Sequence, residues 1–310
     1  MSATLASRLL RQNFDQVDFG RRRFRLRAGV SRDILESAAM AFLTGLNAAF
    51  DDGDIIALLA VVEPERRGFA FEGAGMGCAL LDLLTGARGR RVGRLLDGPA
   101  REYPHLVHVG IGWAYARLRL RPRIWPRTAN PLFRWLAWDG FGFHQGFFDS
   151  NRVVGAQRTE RGLGSTARAI RDQGLGRALW FHECADPEGV ALRINEFHPQ
   201  RHADLWSGVG LAATYAGAAD PDELCQLVTS AGRYRAHLAQ GCAFASKARL
   251  ISSVVPAHTD KAAQVLAGVT VARAADWTDQ ALAALGPEPS TPEDYQRWRA
   301  EIRRLWERSS

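Results

Sequence analysis

At 310 residues, with 46% hydrophobic and 24% charged residues, the chain has the composition of a folded globular protein of one large or two ordinary domains. Its net charge of +7 is almost all arginine, Lys247 and Lys261 being the only lysines, and no nucleic-acid motif accompanies it, so nucleic acid is not the expected partner. The longest apolar run, 55–62, is far short of the roughly 18 residues of a membrane span, no signal-peptide pattern opens the chain, and Cys78, Cys184, Cys225 and Cys242 lack a Cys-x-x-Cys, which points to a reduced cytoplasm.

In chain order, residues 3–13 predict a short helix through Leu5, Leu9 and Leu10. Residues 20–27 predict a basic extended arm with Phe24 and Leu26 on one side, clamping the first repeat or docking an acidic partner such as a carrier protein. Ser31 is the expected N-cap of a helix whose stripe is Ile34, Leu35, Ala38, Ala39, Phe42, Leu43 and Leu46. Asp51, Asp52 and Asp54 stop that helix, with Mg²⁺ chelation as the sharper alternative. The glycine and glutamate positions of an EF-hand loop are unmet. A second helix, 55–62, completes a hairpin.

A recurring unit begins at Phe71: a polar or bulky residue, then Gly-x-Gly or Gly-x-Ala, then an apolar helical run. Its first glycines are Gly73, Gly110, Gly140, Gly174, Gly208 and Gly241, at steps of 37, 30, 34, 34 and 33 residues. A period in this range marks an array of supersecondary units. Small residues at alternate positions of a helix opening let a neighbour approach closely, which must repay about 1 kcal/mol per helical glycine against alanine. Between the units, Asp186-Pro187-Glu188 and Asp220-Pro221-Asp222-Glu223 predict helix starts with an aspartate cap and proline in the first turn. Each repeat is therefore expected to hold two helices. Residues 86–104, 117–127 and 150–166 are expected to be irregular connections. Thr291-Pro292-Glu293-Asp294 opens a last helix with Tyr295, Trp298, Ile302 and Leu305 buried and arginines on its other face. It has the form of the capping element that repeat arrays need.

The fold expected is thus all-α, an array of about six to eight helical hairpins like a TPR solenoid, with closure toward an α/α toroid as a variant. It divides into an arm (1–30), a repeat domain (31–286) and a capping helix (287–310).

The residues preceding the first glycines are Glu72, Val109, Asp139, Gln173, Ser207 and Gln240, five of the six polar. In a helical array equivalent positions stack, so they are expected to form a ladder on one face. One residue earlier stand Phe71, His108, Trp138 and Trp206, as the aromatic lining of a groove. The bland alternative makes Glu72, Asp139 and Ser207 caps of their helices. Glu72, Asp139 and His144 are the candidates for acid–base chemistry. His108, Trp138, Gln173, Trp206, Ser207 and Gln240 are the candidates for contacting a substrate. No metal site is expected: His182-Glu183-Cys184-Ala185-Asp186 lacks the second histidine of a zincin helix, and Pro199 separates His198 from His202. Phosphate-loop, nucleophile-elbow and dinucleotide signatures are missing, and no cofactor follows from the sequence.

The strings Arg67-Gly68-Phe69-Ala70-Phe71-Glu72-Gly73-Ala74-Gly75-Met76, His108-Val109-Gly110-Ile111-Gly112-Trp113-Ala114, Trp138-Asp139-Gly140-Phe141-Gly142-Phe143-His144 and the run 201–212 resemble a bacterial family of unknown function encoded beside enediyne polyketide synthases. The resemblance covers about 20–250. It implies a pathway in which a synthase makes a linear conjugated polyene that accessory proteins convert toward an enediyne core. The expected function is an accessory enzyme acting on that polyene or its derivative. The alternatives are a non-catalytic scaffold or chaperone for the polyene or the synthase, and a generic peptide-binding repeat. The resemblance carries over no catalytic residues.

Overall fold

The structure is a computed structural model that describes residues 10–51, 55, 60–122 and 130–309. The expected 3–13 helix, the 55–62 helix, Asp52, Asp54 and the 123–127 stretch lie largely or wholly outside those residues. The described residues are helical, with no strand. The all-α array predicted from the glycine spacing is present.

The helices are α1 (Val30–Ala48), α2 (Arg67–Thr85), α3 (Arg90–Asp97), α4 (Pro104–Arg117), α5 (Leu136–Phe148), α6 (Ser165–His182), α7 (Pro187–Asn195), α8 (Pro199–Ala216), α9 (Pro221–Ala231), α10 (Arg235–Ile251), α11 (Ala257–Ala262), α12 (Val271–Ala283) and α13 (Pro292–Glu307). One layer organises them. In it α1, α2, α4, α5, α6, α8 and α10 follow one another, each packed on the next, and α12 packs on α10. The other helices lie in the connections, so a second helix per repeat is present at α3, α7 and α9.

The glycines lie inside these helices, one or more turns past the start, rather than at the openings. Their positions follow one rule. A Cβ on the first glycine of a unit would overlap the carbonyl oxygen just before the previous unit's first glycine: Gly110 on Glu72, Gly140 on Val109, Gly174 on Asp139, Gly208 on Gln173, Gly241 on Ser207. A Cβ on the second glycine would meet the carbonyl three residues before the next unit's first glycine: Gly75 on Val107, Gly112 on Ala137, Gly142 on Arg171, Gly176 on Leu205, Gly210 on Leu238. Every crossing therefore brings one backbone onto the other from both sides, with consecutive helices running in opposite directions. Close Cα–H to carbonyl approaches of this kind contribute about 0.5–1 kcal/mol each. The rule exposes a unit that the spacing does not: Gly45 of α1 meets Ala70 O, and Gly73 meets Phe42 O. The first unit is Leu43-Thr44-Gly45, without its first glycine, and the last is Gly241-Cys242-Ala243, without its second.

Asp186, Asp220 and Thr291 cap α7, α9 and α13 as expected, the last two as full capping boxes. Ser31 does not cap α1. That helix begins at Val30 after Gly29, with no side-chain cap, and Ser31 is buried within it. Nor is 86–104 irregular: α3 forms there because the buried Asp82 carboxylate of α2 accepts from Arg91 N (2.9 Å) and Val92 N (3.1 Å), supplying the cap that the local sequence lacks.

The arm is not extended throughout; its first part is tied to α1 through Phe19 N to Glu36 (2.8 Å) and Gln12 to Asn47 (3.0 Å), whereas residues 24–27 reach later helices. Phe19–Arg22 is a helical turn, Phe24 is buried against Phe147 and His182, and Leu26 is exposed. Arg25 pairs with Asp186 at 2.6 Å and Arg27 pairs with Glu223, so the arm fastens to the α6–α7 turn and the start of α9. Helix α13 lies across the layer, touching α6, α10 and α12. Tyr295, Trp298 and Ile302 are buried as expected, but Arg299 is buried with them, at 1% exposure.

Candidate functional site

Positions four apart share a helix face, so the residue before each first glycine and the residue three after it point the same way. The first column is Glu72, Val109, Asp139, Gln173, Ser207 and Gln240. The second is Met76, Trp113, Phe143, Arg177, Leu211 and Phe244. The layer is curled so that these columns meet across its inner face, with Phe69 of α2 against Tyr215 of α8 at 5.2 Å between centroids.

The polar ladder exists, and it is buried rather than set along an open groove. Trp113 Nε1 donates to Glu72 Oε1 at 2.9 Å. Arg177 reaches across the curl, donating to Glu72 Oε2 at 3.4 Å and to Asp139 Oδ1 at 2.6 Å. Gln173 Nε2 donates to Asp139 Oδ2 at 2.8 Å. Ser207 Oγ lies 3.2 Å from Gln173 Oε1 and 3.0 Å from Gln240 Oε1, and its single proton serves one of them at a time. Arg299 of α13 closes the row, donating to Gln240 Oε1 at 3.2 Å and pairing with Asp204 at 2.8 Å. Glu72, Asp139, Gln173, Ser207 and Gln240 are each at most 1% exposed. None stands at an N-cap position and each bonds a residue of another helix, which excludes the capping reading.

Burial, opposed by Arg177 and reinforced by Asp139, pushes the Glu72 carboxyl above its ordinary range. Burial alone would lower Arg177, but Asp139 and Glu72 outweigh it and hold the guanidinium charged. Two carboxylates around one arginine leave this triad a net charge of −1 when both are ionised. Arg177 also lies over the Phe143 ring, 4.6 Å from its centroid.

The triad separates two cavities. The larger, about 70 Å³, is lined on the charged side by Asp139 and Arg177, and otherwise by Val109, Phe133, Leu136, Leu211, Phe244, Tyr295 and Trp298, among others. His105 and Tyr215 are also among its lining residues, as is Lys247, one-third exposed and paired with Asp279 at 2.7 Å. The smaller, about 20 Å³, touches Glu72 and is walled by Phe42, Phe69, Trp113, Phe143, Phe147, Phe148 and Phe181. A convergent polar pair in an apolar cavity is the usual form of a small-molecule site, and the larger cavity has it.

The remaining expected site residues lie elsewhere. His144 packs edge-on to Trp113 (5.6 Å) and beside Phe148 (5.0 Å), hydrogen-bonds neither carboxylate, and burial lowers its pKa to about 3. His108 is used at both nitrogens, bonding Pro104 O at 2.6 Å and accepting from Asn130 N at 3.1 Å, and so secures the chain entering α5. Trp138 packs on Phe141 and Phe71 stacks on Tyr103. Trp206 is buried, and none of His108, Trp138 or Trp206 lines either cavity. The aromatic lining comes instead from Phe133, Tyr215, Phe244, Tyr295 and Trp298. Of the residues missed by sequence reasoning, Arg177 carried a signal: it is the one charged member of an otherwise apolar column.

Among the described residues no three His, Cys, Asp or Glu side chains gather as a metal-ligand set, and no helix is long and apolar enough to cross a membrane. No curated protein matches the chain, and no solved structure does. One family model matches residues 1–306, nearly the whole length. The chain belongs to the family described as Protein of unknown function (DUF1702).

Proposed function

We propose that this protein is a cytoplasmic accessory enzyme of enediyne, a polyketide natural product, and that it acts on a linear conjugated polyene or its derivative in the cavity beside Asp139. The resemblance of the glycine-bearing strings supports the pathway. The observation that carries the site is the Asp139–Arg177 pair in the wall of an otherwise apolar, aromatic-lined cavity. Asp139 is the residue placed to contact a reacting group. Glu72 acts through Arg177, as a positioning residue. A cavity of about 70 Å³ takes one end of a long polyene, and α13, whose Tyr295 and Trp298 form part of its wall, must shift to admit more.

The second reading is a scaffold or chaperone that holds the polyene or docks the synthase. It is favoured by one observation: both Asp139 oxygens already accept hydrogen bonds inside the protein. The two readings part on turnover. The purified protein is incubated with a synthase-derived polyene and products are followed by absorbance and mass. The enzyme reading expects wild-type conversion and at least a tenfold loss in Asp139→Asn with the helical circular dichroism intact. Binding without conversion, unaltered by Asp139→Asn, sinks it in favour of the scaffold.

A further inference from the structure

We propose that the ligand of the larger cavity is an apolar chain that carries a neutral oxygen, a carbonyl or a hydroxyl, on the end that enters. The inference rests on the reading of that cavity as the site and adds the chemistry of the end it recognises.

The polar row from Trp113 to Arg299 satisfies Glu72, Asp139 and Gln173 inside the protein. Two groups facing the same cavity are different. Tyr215 is 3% exposed, yet its hydroxyl has no hydrogen-bond partner among the described residues, and neither does the buried Nε2 of His105. A buried polar atom left unpaired is costly, and the residues that carry these two both line the cavity beside the Asp139–Arg177 pair. A ligand that fills this space meets both.

Their chemistry selects the ligand. The phenol stays protonated at neutral pH, since burial pushes its pKa up to about 12, so it is a donor. Arg249 stands over the Tyr215 ring at 3.9 Å and strengthens that donor by withdrawing charge from it. His105 is neutral, lowered to about 3 by burial and by the nearby positive groups, and a neutral imidazole nitrogen donates or accepts according to tautomer. A donor with an adaptable partner fits a carbonyl or a hydroxyl. A carboxylate fits poorly, because the cations that could receive it are already paired, Arg177 with Asp139 and Glu72 and Lys247 with Asp279. The phenol is held in place: a Cβ on Gly68 would overlap the Tyr215 hydroxyl, so α2 leaves that oxygen its room.

The test uses four all-trans polyenes of equal length: the hydrocarbon, the methyl ketone, the alcohol and the carboxylate. Each is titrated into the full-length protein, with quenching of tryptophan fluorescence as the readout, since Trp298 lines the cavity. The ketone or the alcohol is expected to bind at least tenfold more tightly than both hydrocarbon and carboxylate. Tyr215→Phe is expected to erase that preference while keeping hydrocarbon affinity, and His105→Leu, which leaves the α2–α8 contact alone, to reduce it. Equal binding of hydrocarbon, ketone and alcohol, or a preference that survives both substitutions, overturns the inference and leaves the cavity standing as a site. If none of the four binds, or if binding is indifferent to a cavity-filling Ala245→Trp, the cavity reading itself fails and the inference with it.

Discussion

Glu72 and Asp139 share one guanidinium and differ in everything else around them. Glu72 faces a box of aromatic rings with about 20 Å³ of free space, and its second partner is an indole. Asp139 faces about 70 Å³ bordered by groups that lack partners. Two acids in the same column, two units apart, are thus assigned different work by their walls. One is packed in as a counter-charge, and the other borders space that a ligand can use. Role follows from the free volume beside a carboxylate and not from its place in the repeat.

The comparison is broken most severely at its shared member. Arg177→Leu leaves two buried acids uncompensated and is expected to cost about 3–5 kcal/mol, read as a lowered urea midpoint or loss of soluble protein. A near-normal midpoint would mean that the two acids do not depend on the arginine. Next, the backbone can be disturbed on either side separately. Gly110→Ala pushes a methyl onto the Glu72 carbonyl and Gly174→Ala onto the Asp139 carbonyl. Each is expected to cost about 1–3 kcal/mol or more, and only Gly174→Ala is expected to weaken polyene quenching. Equal weakening by both would erase the distinction between the two sides.

Acid acts on both sides at once. His105 at the larger cavity and His144 beside the aromatic box are both lowered to about 3, mainly by burial. Their folded pKa lies below the unfolded value near 6.5. The unfolded chain therefore gains protons that the folded chain refuses. Their contribution is complete above about pH 6.5 and is lost as the pH falls toward 3. Between pH 7 and pH 5 this amounts to roughly 1–2 kcal/mol apiece. His108, His237 and His258 are lowered as well, and Glu72 and Asp204, raised instead, work in the opposite direction above their unfolded pKa, two groups against five. A urea midpoint that stays level or rises over this interval contradicts the burial of the histidines. The smallest effects divide the two acids. Asp139→Asn turns an amide donor toward either Arg177 or Gln173, leaves one donor unpaired, and should cost about 1–3 kcal/mol. Glu72→Gln keeps an acceptor for Trp113 and removes a charge that burial already disfavours. It should cost under about 1 kcal/mol, and a larger loss than Asp139→Asn shows by the same denaturation would reverse the assignment.

Much of the array was legible because backbone crossings leave glycines behind, and glycines at a fixed step survive in any reading of the sequence. The ladder was legible for the same reason, since its members stand next to those glycines. Its burial was not. Whether a column faces water or a neighbour depends on the curl of the layer, and no local pattern encodes that. Arg177 could have been found by aligning the units, where it interrupts Met76, Trp113, Phe143, Leu211 and Phe244. Tyr215 and His105 lie one turn beyond the columns on the same face, four after Leu211 and four before Val109, and nothing in the sequence says which of these flanking positions border free space. Arg299 was hidden by its helix: an arginine among arginines is expected outside, and only the placement of α13 across the layer puts it beside Gln240.

The units at the two ends depart from the crossing rule. Leu43 stands where every later unit has glycine, and Ala243 stands where the second glycine of the last unit would be. A leucine side chain at the crossing point forbids another helix from docking on α1 through the same contact, and at α10 the layer passes to α12 by ordinary side-chain packing. A duplicated unit inserted in the middle would therefore be accepted by the crossing rule, whereas one placed before α1 would meet the Leu43 side chain at the point where a glycine is needed.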